Sequence, residues 1–374
     1  MQFNGKPRMH FRPAKGWIND PNGLVCFGGY YHAFYQHAPN YEKPFIEPMT
    51  WGHARTKDFI NWEELPVVLW ADEPYDAGGC WSGTAAVKDG KLYLYYASVI
   101  KNEDGSFAQS VSVAFSEDGE HFTKYEGNPI IPHYPPEGSN DFRDPAVMVD
   151  HDGTAYIVMA TGAEDRKHAR LLLYKSTDML HFDYAGILFE YENMVYCECP
   201  SFMPYGNDGE YLLAASVCGE GGTHTFSVMV GAFDGKTFTP RVSSKIWHGP
   251  DQYAGQVFRD DKGRCLLITW IAGWHLSKCC EISPGVLSVP AEIFELDGTL
   301  AARPVDECRH LYAASDPAVQ RTDDGFTVPR DVLEPLHVTC SDVPLLILHD
   351  AYIVEIYADG GKNVYTVLLP EKEG

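Results

Sequence analysis

The chain has 374 residues, 45% of them hydrophobic and 22% charged, with a formal net charge of −23. That is ample material for a buried core, and a field of that sign repels phosphate backbones and anionic membrane surfaces, which excludes nucleic acid and membranes as expected partners. Ten cysteines, with no apolar signal-like N-terminus, no CxxC pair and no zinc-type Cys/His spacing, predict free and mostly buried thiols in a cytoplasmic protein without metal or cofactor.

The first informative stretch is Trp17-Ile18-Asn19-Asp20-Pro21-Asn22-Gly23. Asn, Pro and Gly together predict a turn ahead of a hydrophobic strand, and the turn carries a single carboxylate, Asp20. A unit then begins to repeat. A polar motif leads into a short strand, a glycine turn and a strand rich in Tyr, Leu and Val. Gly29, Gly90, Gly153, Gly209 and Gly263 mark the turn at spacings of 54 to 63 residues, and Phe59, Phe122, Phe182 and Phe238 keep the same step. Alternating apolar residues between such turns predict strands. A unit of this length holds about four antiparallel strands, one propeller blade. The expected fold is all-β: a five-bladed β-propeller over residues 1–309, with a β-sandwich of coincidental turn spacing as the competing architecture.

The polar groups fall at one point of the repeat. Asp20, Trp81-Ser82, Asp144, Glu198 and the Asp251-to-Tyr253 stretch each precede their glycine turn by 8 to 12 residues. First strands of blades line the central channel, so these positions are expected to converge at one mouth and to place Asp20, Asp144 and Glu198 in a shared pocket. Beyond Arg309 the markers stop. Residues 310–334 read as polar and turn-rich, followed by three strands near 345–348, 352–357 and 364–369. Residues 310–374 are therefore expected to form a reduced C-terminal β-sandwich-like module packed on the last blade.

Paired carboxylates suit glycoside hydrolysis, in which one acid is ionised and the other holds a proton. Asp20, held by amides, suits the ionised role, and Glu198, between Cys197 and Cys199-Pro200, suits a drier, protonated one. Arg143 is expected to keep Asp144 ionised as an acceptor for sugar hydroxyls. Trp17, Trp51, Trp81 and Tyr253 are expected to supply stacking faces, and Asn19, Gln36 and Gln256 hydroxyl-binding amides, with Ser82 beside them. For His37, His53 and His248 packing or hydrogen bonding is expected, not catalysis. The ligand is a small carbohydrate, and self-association into a homo-oligomer is left open.

Trp-Ile-Asn-Asp-Pro-Asn-Gly (17–23), Phe-Tyr-Gln (34–36), Trp-Gly-His-Ala (51–54), Trp-Ser-Gly (81–83), Phe-Arg-Asp-Pro (142–145) and Glu-Cys-Pro (198–200) together resemble the motif set of glycoside hydrolase family 32, the β-fructosidases. The resemblance runs from residue 8 to about 310. It implies a five-bladed propeller and a metal-free retaining double displacement. It also implies Asp20 as nucleophile, Glu198 as acid/base and Asp144 as transition-state stabiliser beside Arg143. Retention implies carboxyl groups about 5–5.5 Å apart. The implied activity is release of fructose from sucrose or short fructo-oligosaccharides. Sucrose-6-phosphate hydrolysis, fructosyl transfer, an inverting furanosidase and a non-catalytic sugar-binding propeller are the alternatives. Three features depart from the family pattern: Ser201 after Glu-Cys-Pro, Ala291 where Arg is usual, and the short C-terminal module.

Overall fold

Each recurrence of hairpin glycine and apolar alternation becomes one antiparallel sheet in the computed structural model, which describes residues 3–41, 48–206, 209–222, 224–271, 285–341 and 344–372. The first sheet holds β1 (Trp17–Phe27), β2 (Tyr30–Ala38), β3 (Thr50–Thr56) and β4 (Trp62–Leu69). The second holds β5 (Gly79–Lys88), β6 (Lys91–Lys101), β7 (Phe107–Ser116) and β8 (Thr123–Lys124). The third holds β9 (Phe142–Val149), β10 (Ala155–Gly162), β11 (His168–Ser176) and β12 (Asp183–Glu192). The fourth holds β13 (Met194–Tyr205), β14 (Glu210–Gly219), β15 (His224–Phe233) and β16 (Phe238–Ser244). After β17 (Trp247–Pro250), a fifth sheet holds β18 (Gln252–Arg259), β19 (Cys265–Ile271), β20 (Val286–Leu287), β21 (Ala291–Leu296) and β22 (Thr299–Pro304).

The marker residues sit where strand geometry needs them. Asp89 and Gly90 turn the β5–β6 hairpin with φ of +52° and +77°, as a two-residue hairpin of this hand requires. The aromatic markers Phe122 and Phe182 follow a second turn, between third and fourth strands, whereas Phe59 lies within the equivalent turn of the first sheet. There Thr56, Ser116 and Ser176 each accept from backbone N–H groups two and three residues on, and Asp58, Asp118 and Asp178 do the same for the next two.

The first strands form a closed circuit: β1 packs on β5, β5 on β9, β9 on β13, β13 on β18, and β18 on β1. Apolar side chains fill the spaces between successive sheets. Phe34, Trp51 and Tyr96 lie between the first and second, Tyr95, Phe142 and Ile157 between the second and third, and Leu171, Leu213 and Val217 between the third and fourth. Each such side chain contributes about 1.5–3 kcal/mol on burial. Polar staples join the first strands as well. Thr84 donates to the Pro145 carbonyl and accepts from Val147 N–H, while Gln256 links Leu24 N–H to the Gly83 carbonyl.

Trp17–Gly23 is not the turn that its composition predicts. It is the start of one eleven-residue strand, with register irregularities between Ile18 and Pro21 and between Asn22 and Val25. Proline is tolerated there because a bulge relieves it of a ladder hydrogen bond.

The C-terminal region contains the three expected strands, β26 (Leu346–Asp350), β27 (Ile353–Ala358) and β28 (Asn363–Leu368). It also contains a three-stranded sheet within and just after the stretch read as turn-rich: β23 (Gln320–Thr322), β24 (Gly325–Val328) and β25 (Leu336–Thr339). A boundary at 309/310 divides one sheet, because β17 pairs in parallel with β28. The N-terminal segment is tied to the same sheet, with Arg8, Met9 and His10 N–H groups donating to Asp350. Eight described cysteines are free thiols; Cys279 and Cys280 lie outside the described residues. No helix among the described residues is long and apolar enough to cross a membrane.

Candidate active site

The same distortion recurs near the start of each first strand. Pairing is interrupted between Ile18 and Pro21, Trp81 and Gly83, Arg143 and Ala146, Glu198 and Ser201, and Tyr253 and Gln256. Asp144, Cys199 and Ala254 take left-handed φ values of +56°, +47° and +51°. A bulge re-aims a side chain, and left-handed backbone at a non-glycine residue costs about 1–3 kcal/mol. Three successive sheets bear that cost at the point where their polar residues meet.

Cys199 is the meeting point. Its N–H donates to Asp144 Oδ2 at 2.8 Å, and its thiol touches Asp20 Oδ2 at 3.6 Å and Asp144 Oδ2 at 3.7 Å. Burial, followed by the charges of Asp20 and Asp144, holds that thiol far above its ordinary pKa, so it remains an S–H donor. Asp20 also accepts from Ser82 Oγ at 2.6 Å and from Asn19 Nδ2 at 3.0 Å. Burial nevertheless raises the Asp20 pKa above the usual aspartate value, opposed by those donors and reinforced by the charge of Glu198.

Arg143 does not pair with Asp144 as expected. Its guanidinium donates to Glu198 Oε1 at 3.2 and 3.1 Å and to Asp141 at 3.0 Å. Asp144 is therefore raised as well: burial outweighs the Arg143 charge, and Glu198 and Asp20 add to it. Glu198 is not in the dry setting expected of it either. Its side chain is 20% exposed, with Oε1 held by Arg143 and Oε2 by the Tyr253 hydroxyl. Burial first, then Glu198, pushes the Tyr253 phenol well above its ordinary pKa, so Tyr253 stays a donor.

The structure brings Asn19, Asp20, Ser82, Arg143, Asp144, Glu198 and Tyr253 together. It separates others. Trp17 and Trp51 are fully buried and present no stacking face: the Trp17 indole donates to Asn19 Oδ1, and the Trp51 indole to the Trp81 carbonyl. Gln36 is occupied by the Cys80 carbonyl and Gln256 by its staple between strands. Trp81 remains partly exposed against Phe107, ring centroids 5.1 Å apart. His37 bonds the Trp17 carbonyl, and buried His53 bonds His32. Among the described residues, no group of three or more His, Cys, Asp or Glu is arranged to hold a metal ion. Cys199 is the important residue that composition does not single out; its only sequence signal is its place after Glu198 in the repeat.

Residues 10–304 match the Glycosyl hydrolases family 32 N-terminal domain. The chain belongs to glycoside hydrolase family 32. It is 33% identical over 328 residues to raffinose invertase of Escherichia coli, covering 83% of this chain and 67% of that protein. It is 31% identical over 326 residues to sucrose-6-phosphate hydrolase of Zymomonas mobilis, covering 82% and 63%. A levanase of Bacillus subtilis is 34% identical over 316 residues, covering 77% and 44%. The chain thus spans about two thirds or less of the length of these relatives. The fold is that of the β-propeller enzymes of the family: a Bombyx mori β-fructofuranosidase superposes with a TM-score of 0.82 at 24% identity, covering 98% of this chain and 89% of the other. A sucrose-6-phosphate hydrolase from Lactobacillus gasseri gives 0.83 at 22% identity, covering 98% and 88%.

One departure of this family 32 chain from the usual pattern has a structural use. Ser201 is buried, and its hydroxyl accepts from Val257 N–H at 2.9 Å, stapling β13 to β18. Ala291 is buried at the start of β21, opposite Leu267.

Proposed function

We propose that the chain hydrolyses terminal β-D-fructofuranosidic bonds in sucrose and short fructo-oligosaccharides with retention of configuration. The first four sheets and the fifth make up five blades, with residues 310–374, joined by β17, as an appended module. The observation that carries this reading is the meeting of Asp20 and Asp144 at Cys199, one residue from Glu198. Relatives named invertase, sucrose-6-phosphate hydrolase and levanase support the fructoside class.

In the first step an Asp20 carboxylate oxygen attacks the anomeric carbon of the fructosyl unit. The glycosidic C–O bond breaks, and Glu198 protonates the departing oxygen. In the second, Glu198 takes a proton from water, whose oxygen displaces Asp20 from the same carbon. Asp144 accepts hydrogen bonds from fructose hydroxyls. Asn19, Ser82 and Arg143 hold the carboxylates in position, Trp81 offers a stacking face, and Tyr253 orients Glu198. Tyr253 and Arg143 occupy both Glu198 oxygens, so one must yield when Glu198 carries the transferable proton.

A product assay on sucrose, kestose, inulin and levan tests the reading, with proton NMR of the first-formed anomer. Fructose released as its β-anomer is expected. No fructose from any substrate overturns the activity, and an inverted product overturns Asp20 as nucleophile.

A further inference from the structure

Tyr253 donates its hydroxyl to Glu198, and the chain on either side of it is fixed by different parts of the molecule. On the C-terminal side, Ala254 is buried and takes a left-handed φ of +51°. Gln256, two residues further on, is stapled to Leu24 of β1 and Gly83 of β5. Those bonds lie within the ring of first strands. On the N-terminal side, the two residues before Tyr253 are bonded instead to the C-terminal region.

Asp251 is fully buried. Its Oδ2 accepts from Arg330 Nη2 at 2.9 Å and from Leu368 N–H at 2.7 Å, and its own N–H donates to the Thr366 carbonyl at 3.2 Å. Arg330 lies in the segment after β24, with its side chain 6% exposed, and donates through Nε to the Leu368 carbonyl at 3.1 Å. Gln252, the first residue of β18, accepts from the buried Thr366 Oγ1 at 2.7 Å. Just upstream, Trp247 and Pro250 pair in parallel with Val364 and Thr366. A buried carboxylate held by a guanidinium and a backbone N–H keeps one orientation, because moving it would strand a charge in a low dielectric.

Left-handed backbone at an alanine is strained and persists only where its surroundings hold it. Asp251 and Gln252 are the upstream hold on Ala254. Rotation of the chain there would swing the Tyr253 hydroxyl, at the end of a long rigid side chain, away from Glu198. We propose that Asp251, Arg330 and Thr366 are positioning residues for the proton transfer: they fix the Tyr253 ring, and through it the Glu198 carboxyl, so that the C-terminal sheet sets the aim of the acid/base. This rests on the reading of Glu198 as proton donor. Displacing a reacting group by about 1 Å lowers the rate by roughly 10²-fold, which is the scale on which such a hold acts.

The test compares kcat/KM on sucrose, whose leaving oxygen needs a proton, with kcat/KM on p-nitrophenyl β-D-fructofuranoside, whose nitrophenolate leaves without one. Thr366→Val keeps the shape of the side chain and removes its hydroxyl, and Arg330→Gln removes the cation. Both are expected to lose about ten- to hundredfold on sucrose and to stay near the wild-type value on the aryl fructoside. Arg330→Lys, which keeps a charge beside Asp251, is expected to recover part of the loss. In a Tyr253→Phe background neither substitution is expected to lower the sucrose value further. An equal loss on both substrates, no loss on sucrose, or an undiminished loss in the Tyr253→Phe background overturns the proposal. If Arg330→Gln does not fold, Thr366→Val decides alone. Glu198→Gln tells the two readings apart. If it loses sucrose and spares the aryl fructoside, the proton donor stands, and a failure of Thr366→Val counts against the positioning alone. If it loses both substrates equally, the reading of Glu198 falls and the positioning falls with it.

Discussion

Two clusters in this protein bury acids, and they do so in opposite ways. Around Cys199, three carboxylates gather with one guanidinium, which bonds only Glu198 of the three, and burial holds Asp20 and Asp144 above their ordinary pKa values. At the junction of the N-terminal segment with the C-terminal sheet, Asp350 and Glu355 face a buried histidine. His10 Nδ1 lies 2.9 Å from Asp350 and Nε2 3.5 Å from Glu355, with Tyr312 donating to Glu355 at 2.7 Å. Burial alone would lower the His10 pKa, but the two acids raise it to about 9, and Asp350 falls to about 2. The second cluster sets a buried cation between its two acids and ties Asp350 to three backbone N–H groups, so it holds structure together. The first is left with excess like charge on a distorted backbone, as expected where binding and chemistry use the imbalance.

The sharpest way to break that contrast is Asp20→Asn. Removing the proposed nucleophile is expected to lower turnover by roughly 10⁴-fold or more. Removing a like charge from the cluster is expected to raise stability at neutral pH by about 1 kcal/mol. Fructose release and thermal unfolding on the same preparation check both, and a fall in Tm would mean that the cluster is not strained by its charges.

His10→Ala is expected to act in the other direction. It leaves two buried acids without their cation and should cost about 3–5 kcal/mol in urea unfolding at pH 7. The pH dependence follows from the raised pKa. His10 binds its proton more tightly folded than unfolded, so its contribution is complete below about pH 6.5 and is lost as pH rises through about 9. Wild-type stability should decline across that window and the variant should lack the decline. Equal slopes in both proteins would remove His10 from its role.

The two clusters also differ in how far the sequence reveals them. Asp20, Asp144 and Glu198 are legible because each occupies the same place before a hairpin glycine, and a repeat turns sequence register into spatial convergence. The His10 cluster is not legible: residues 10, 312, 350 and 355 share no period, and only the docking of the chain ends brings them together. Inside the site, chain proximity misleads. Arg143 and Asp144 are adjacent in sequence, but neighbouring strand residues point to opposite faces, and the bulge then turns Arg143 to Glu198. Trp17 and Trp51 have the composition of a stacking surface and lie in the packing beneath it, where large aromatic rings bury the most area. The turn signals in Trp17–Gly23 yield a bulged strand because pairing with β2 overrides local propensity.

The smallest predicted effect concerns the hydroxyl that favours the ionised form of Asp20. Ser82 donates to Asp20 Oδ2 at 2.6 Å and opposes the upward pull of burial on its pKa. Ser82→Ala removes the donor and leaves the burial, so the Asp20 pKa should rise further. In its proposed role as nucleophile Asp20 must be ionised, so the acid limb of the kcat/KM profile should move to higher pH. The loss should be roughly tenfold on that limb, the worth of one hydrogen bond to a charged group, and smaller on the plateau. A uniform loss at every pH would mean that Ser82 positions Asp20 without tuning it, and an unmoved profile would mean that Ser82 does neither.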